Sequence, residues 1–243
     1  MILPKNSYLR NPPSIISPKQ VLTFNALRYS IDICEISKNR LAENLFKINT
    51  AQSIEPLDFP TIFLDVWSII NHCVIFKKII VREFNINGNE PNLEEINKAK
   101  NLRDSNQHID ERISEPLLSN DLPAYGLISW RTIGINENEV DVSTIYSGTF
   151  TSKRKIKMTI RNPEFETDSS NAHMIEFTSI IREKENGNWI FKEQNILIDK
   201  IIYDLKSYIE LFDKQINEQL SNHKNKETHK SDLIVQMTGI RMI

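Results

Sequence analysis

Glycine is scarce in this chain, with six in 243 residues, and cysteine is scarcer, with two. So few glycines leave no G-x-G-x-x-G fingerprint and no G-x4-G-K-S/T loop, which excludes the usual backbone cradles for nucleotide phosphates. The two cysteines, Cys34 and Cys73, sit in apolar helical patterns and read as small core residues, not as a disulfide or a metal pair. There is no excess of charge: the formal net value of −2 exerts no global pull toward nucleic acid or anionic membrane. A nucleic-acid site would have to be a local patch. Long apolar runs are missing as well. The nearest approach, Ile62 to Val81, is broken by Asp65, Ser68, Asn71, His72, Lys77 and Lys78, the pattern of a buried helix and not of a membrane span. Met1 to Pro13 is polar with two adjacent prolines, unlike a secretory signal. A cytoplasmic location without membrane association is the expectation. Only His223 and His229 approach metal-ligand spacing, and they lie in a polar tail without a carboxylate cage, so no metal and no cofactor are expected.

What is present is ordinary globular material, 40% hydrophobic and 26% charged, long enough for one large domain or two small ones. Ser17-Pro18 opens a helix, with serine as N-cap and proline in the first turn. Val21, Leu22, Phe24, Leu27, Ile31, Cys34, Leu41 and Leu45 then recur at helical spacing and predict a helix over 18–46. A second helix over 60–82 is apolar nearly all round, which marks a central element packed on several sides. Asn85 to Pro91 is dense in turn formers. A third helix, 91–118, has the apolar stripe Ala99, Leu102, Ile109 and Ile113 and is therefore half exposed, and the three together make a bundle.

Near Leu122 the period changes. Segments 124–133, 140–146, 155–160, 173–182 and 189–198 are rich in Ile, Val, Thr and aromatics and predict strands. Asn186-Gly187 signals a tight hairpin between the last two. A helix over 199–221 follows, then a polar tail to Ser231 and a short apolar run from Leu233 to Val235. The fold class is therefore α+β: a helical bundle over 1–118, then an antiparallel sheet with a C-terminal helix packed on it and a polar tail over 119–243.

The third predicted helix holds Arg103-Asp104-Ser105-Asn106-Gln107-His108. This resembles the R-x4-6-H signature of the HEPN family, whose members are helical bundles and in many cases metal-independent ribonucleases acting as dimers. The resemblance covers the helical half alone. It implies RNA as a partner, a homodimer through the helical half, a stress, toxin or defence setting, and catalytic roles for Arg103, His108 and Asp104. The chemistry fits the side chains. Imidazole is suited to take the proton of a 2′-hydroxyl near neutral pH, and a guanidinium fork matches the charge that builds on phosphoryl oxygens. Asp104 precedes His108 by four positions, so on a helix it stands beside the ring and can hold its tautomer. Arg103 and His108 fall about 140° apart around a regular helix, so a second copy is needed to bring both onto one phosphate. The same residues also read as a solvated helix face with local ion pairs. In that case the chain is a non-catalytic dimeric binding or scaffold protein.

Three further groups draw attention. Asp65, Ser68 and His72 form a polar strip along the second helix, better suited to a hydrogen-bonded seam than to a triad, which needs acid and serine on opposite sides of the histidine. The basic run Lys153, Arg154, Lys155, Lys157 and Arg161 suits either a solvated hairpin or phosphate contact. Tyr125, Trp130, Tyr146 and Trp189 recur at strand positions, where aromatics are more often core pairs than base platforms.

Overall fold

The structure is a computed structural model that describes residues 1–50, 58–112, 123–133, 140–148, 172–220, 227–229 and 231–232. Ser17 opens helix α1 (Pro18–Thr50) with a reciprocal box: its amide donates to Gln20 Oε1 at 2.8 Å while the Gln20 amide donates to Ser17 Oγ at 3.4 Å. Two otherwise orphaned donors are thereby satisfied. The helix outruns its predicted end by one turn.

Helix α2 (Asp58–Phe84) is the centre of the molecule. Ile62, Val66, Ile69, Ile70, Cys73, Val74, Phe76 and Ile80 are completely buried, and α2 packs on α1 and on the helices Glu94–Asn106 and Ile198–Leu220. Its window Phe59–Phe84 is long and apolar enough to cross a bilayer by composition, yet half of it is buried inside the protein. Cys34 and Cys73 are free and buried side by side in this interface, with Sγ atoms on the carbonyls of Ile69 and Ile70. Burial pushes both thiols up.

After the turn at Asn85, a 3-10 turn at Pro91–Leu93 leads into α3 (Glu94–Asn106) and a short α4 (Ile109–Arg112). The unbroken helix expected over 91–118 is thus interrupted at Gln107-His108; residues 113–118 lie outside the described residues. The cause is local. Ser105 and Asn106 are weak helix formers, and the Ser105 hydroxyl donates at 2.6 Å to the Ile180 carbonyl on the sheet. The His108 amide then closes a tighter bond to the Ser105 carbonyl at 3.3 Å, ending the α-pattern.

The sheet consists of β1 (Leu127–Ile133), β2 (Val140–Tyr146), β3 (His173–Glu185) and β4 (Asn188–Leu197), in the order β2-β1-β3-β4 and antiparallel throughout. The strand expected over 155–160 lies outside the described residues. Asn186 and Gly187 both take positive φ, 51° and 87°, the backbone that a two-residue type I′ hairpin requires and that Asn-Gly supplies. Gly126 starts β1 at φ 89°, and a Cβ there would meet the Phe177 ring and the Thr178 carbonyl at 2.6 Å. No other residue fits.

Ile128 stands between Ile145 and Phe177, and Phe177 between Ile128 and Ile196, giving one apolar row across all four strands. Trp67 of α2 meets Phe177 edge-on at 5.1 Å. Helix α5 (Ile198–Leu220) follows β4 directly and packs on β3, α1 and α2 through Ile201, Leu205, Tyr208, Ile209 and Phe212. The architecture is α+β, with helices first, the antiparallel sheet next and the last helix on the sheet. One cluster of buried side chains joins both halves.

The irregular start contributes to that cluster. Leu3 and Leu9 are fully buried, although no periodicity marks them. The segment is fastened to α1 by Arg10 on Asp32 and by the Ile2 amide on Glu35 Oε1 at 3.0 Å. It also pairs with the far end of the chain: the His229 amide donates to Pro12 O at 2.8 Å and the Ser14 amide to Glu227 O at 2.9 Å, flanking a bridge between Pro13 and Thr228.

Candidate functional site

Arg103 lies in the last turn of α3, against α2. Its Nε donates to Asn71 Oδ1 at 2.9 Å, and its Nη1 stands 3.5 Å from Asp104 Oδ1, with a fifth of the side chain exposed. A neutral amide therefore fixes the guanidinium without cancelling its charge, while the edge bearing the Nη atoms faces Asp104. The other oxygen of Asp104 takes Lys100 Nζ at 3.0 Å, one helical turn back. Lys77 on α2 belongs to the same neighbourhood: burial first, then the like charge of Lys100, lowers its pKa. Three cations and one carboxylate thus gather where α2 and α3 cross.

His108 does not continue this helix face. It is exposed and occupies the turn between α3 and α4. Asp104, four positions before His108, has its two oxygens on Lys100 and Arg103. The separation of about 140° belongs to a regular helix, and α3 ends at Asn106, two positions before His108.

Asn71 is the residue that sequence reasoning missed. It appears there only as a polar interruption of an apolar helix, and its contact with Arg103 spans 32 positions, so no local pattern announces it. Beside it, His72 is half-buried, and burial lowers its pKa. The imidazole is accordingly neutral at pH 7.

The polar strip on α2 divides. Asp65 is completely buried, and its carboxylate accepts Arg40 Nε at 3.0 and 2.9 Å, with Nη2 closing the fork. Asp65 thus forms the seam between α1 and α2, as expected of this strip, and is committed to α1. Of the strand aromatics, Trp130 is core, whereas Trp189 is half exposed under the Arg182 guanidinium at 4.3 Å. The basic run 153–161 lies outside the described residues. Among the described residues no group of three His, Cys, Asp or Glu side chains is placed to hold a metal.

The arrangement can do two things chemically. A preset guanidinium with lysines nearby can bind a phosphate oxygen, and an exposed imidazole five residues on can exchange a proton. Compared with known proteins, the chain matches no family model, no curated protein and no solved structure.

Proposed function

We propose that the chain is a HEPN-like metal-independent ribonuclease, or a nucleic-acid-binding relative, of the stress, toxin or defence kind that the resemblance implies. The observation that supports this is the Arg103 guanidinium, held by Asn71, with an exposed histidine five residues further along the chain. Arg103 clamps the scissile phosphate. His108 takes the proton of the 2′-hydroxyl, whose oxygen attacks phosphorus. The 5′-oxygen of the next nucleotide leaves with a proton, giving a 2′,3′-cyclic phosphate and a free 5′-hydroxyl. One copy offers one such imidazole to a reaction that needs a base and an acid, so a second copy supplies the other.

The test is RNA cleavage by purified protein in the presence of chelator. Products ending in 2′,3′-cyclic phosphate or 3′-phosphate are expected, with a loss of ~10²–10⁴ in rate for His108→Ala. Arg103→Ala should lose a similar factor, and the melting temperature, followed in parallel, separates chemistry from folding. Cleavage that survives His108→Ala, or that chelator abolishes, would remove this mechanism.

A second reading, a non-catalytic dimeric scaffold, has its own observation. Leu22, Tyr29 and Ile36 of α1 are 69%, 53% and 61% exposed. With Ala26 and Ile33 they form a stripe spaced four and three apart, the seam of a helix pair. Antiparallel pairing of two copies about Ile31 sets Ile33 on Tyr29, Ile36 on Ala26, Leu22 on Arg40 and, beyond that, Lys19 on Glu43. Ile36→Asp should leave a monomer in analytical ultracentrifugation; a wild-type chain that is already monomeric at high concentration would rule this reading out.

A further inference from the structure

Far from α3, the two ends of the described chain enclose a cavity of about 420 Å³ against α1, lined by Lys5, Arg10, Arg28, His229, Ser231 and Asp232 among others. Its volume is that of a small-molecule site, and its charged lining is mainly cationic, Lys5, Arg10 and Arg28 against Asp232, which favours an anionic ligand. The wall already receives one oxyanion. The Asp232 carboxylate accepts Arg28 Nη2 and, at 2.8 Å, the Tyr29 hydroxyl. These hydrogen bonds hold its pKa below the usual carboxylate range.

Donors remain after that contact. The Arg28 side chain is only 6% exposed, and its Nε has no hydrogen-bond partner. That nitrogen is sealed from the cavity as well as from water, so what Arg28 offers a ligand is the Nη edge left over from the Asp232 contact. Lys5 and His229 are exposed at the rim. Arg10 contributes less, because its fork is occupied by Asp32. Arg28, Lys5 and His229 therefore come from three separate segments and converge on one cavity with a single carboxylate of the chain's own among them.

We propose that this cavity binds the phosphate group of a small phosphomonoester. A dianion with three equivalent oxygens suits three donors on different segments, and the guanidinium is the side chain that recognises such oxygens geometrically. Asp232 competes with the ligand for Arg28, so its carboxylate sets the affinity. The site shares no residue with the one at the end of α3 and stands or falls independently of RNA cleavage.

The experiment titrates the full chain with inorganic phosphate and with ribose 5-phosphate, by calorimetry and by melting temperature, against sodium chloride and sodium acetate at equal ionic strength. Saturable binding of the two phosphates is expected, stronger for ribose 5-phosphate. Lys5→Ala/His229→Ala alters only exposed side chains and spares the Arg28–Asp232 pair. It should weaken binding about tenfold or more, the worth of a charge-assisted hydrogen bond. Asp232→Asn should tighten it. A response that chloride or acetate reproduces, or an affinity unchanged in both variants, overturns the proposal.

Discussion

Helices α2 and α3 lie side by side and are held by different forces. Helix α2 is fixed by apolar burial, with eight side chains of no accessible surface pressed against three other helices. Helix α3 buries Ile96, Ala99, Leu102 and Ser105 on one face and is otherwise tied down by single polar contacts. Glu95 accepts the Leu197 amide, the Lys98 carbonyl accepts Gln194, Ser105 donates to Ile180, and Arg103 donates to Asn71. Packing of the first kind fails only when the whole core opens, whereas ties of the second kind can be released one at a time. Arg103 and Asp104 lie on the second kind of element, and His108 lies in the turn that ends it.

The comparison can be tested by cutting each kind of contact. Ile70→Ala leaves a cavity at the centre of α2 and should cost ~2–5 kcal/mol in chemical denaturation; a loss too small to measure would place α2 at the periphery. Arg40→Ala strands the buried Asp65 carboxylate. Because Arg40 is half exposed and water can enter behind it, the expected loss is ~1–3 kcal/mol, and Asp65→Asn in the same chain should restore part of it. Ser105→Ala removes one tie of α3 and should cost ~0.5–1.5 kcal/mol. Amide exchange should quicken in α3 while α2 stays protected; equal acceleration in both would erase the distinction.

The smallest effect is a pH dependence. Burial depresses the His72 pKa in the folded state below its ordinary value of 6.5, so the unfolded chain binds the proton more readily. The contribution of His72 is fully present above pH 6.5 and is lost as pH falls through the folded pKa. His72→Gln should flatten stability against pH on the acid side of neutrality, and an unaltered slope there would mean that His72 is solvated.

Much of this contrast was legible in the sequence because it is local. The all-round apolar pattern of 60–82 announced a central helix, Ser17-Pro18 marked a start, and Asn186-Gly187 marked a turn, since each depends on neighbours within a few positions. The shift from period 3.6 to period 2 near Leu122 placed the sheet for the same reason. The break at His108 was not legible, because it depends on a hydroxyl bonded to a carbonyl 75 positions away. Nor was Asn71, an ordinary polar residue until Arg103 reaches it. Leu3 and Leu9 escaped notice since two apolar residues in an irregular segment have no period to betray them. Arg103, Asp104 and His108 were found as a spacing, but the turn that separates the histidine from the other two was not.

The seam between the first residues and positions 227–232 has a consequence for the order of folding. The Asn186-Gly187 hairpin closes over two residues and forms on a timescale of ~1–10 μs. The seam joins partners about as distant as the chain allows: Ser231 bonds Arg10 across 221 positions and Arg28 bonds Asp232 across 204. Such contacts bear the largest loop-closure entropy in the molecule and are repaid only after the intervening helices and strands are in place. The pocket at the seam is therefore assembled late, when the rest of the molecule has already formed, and an anion bound there would act as a clasp on finished protein, slowing its unfolding while leaving the rate of its early collapse unchanged.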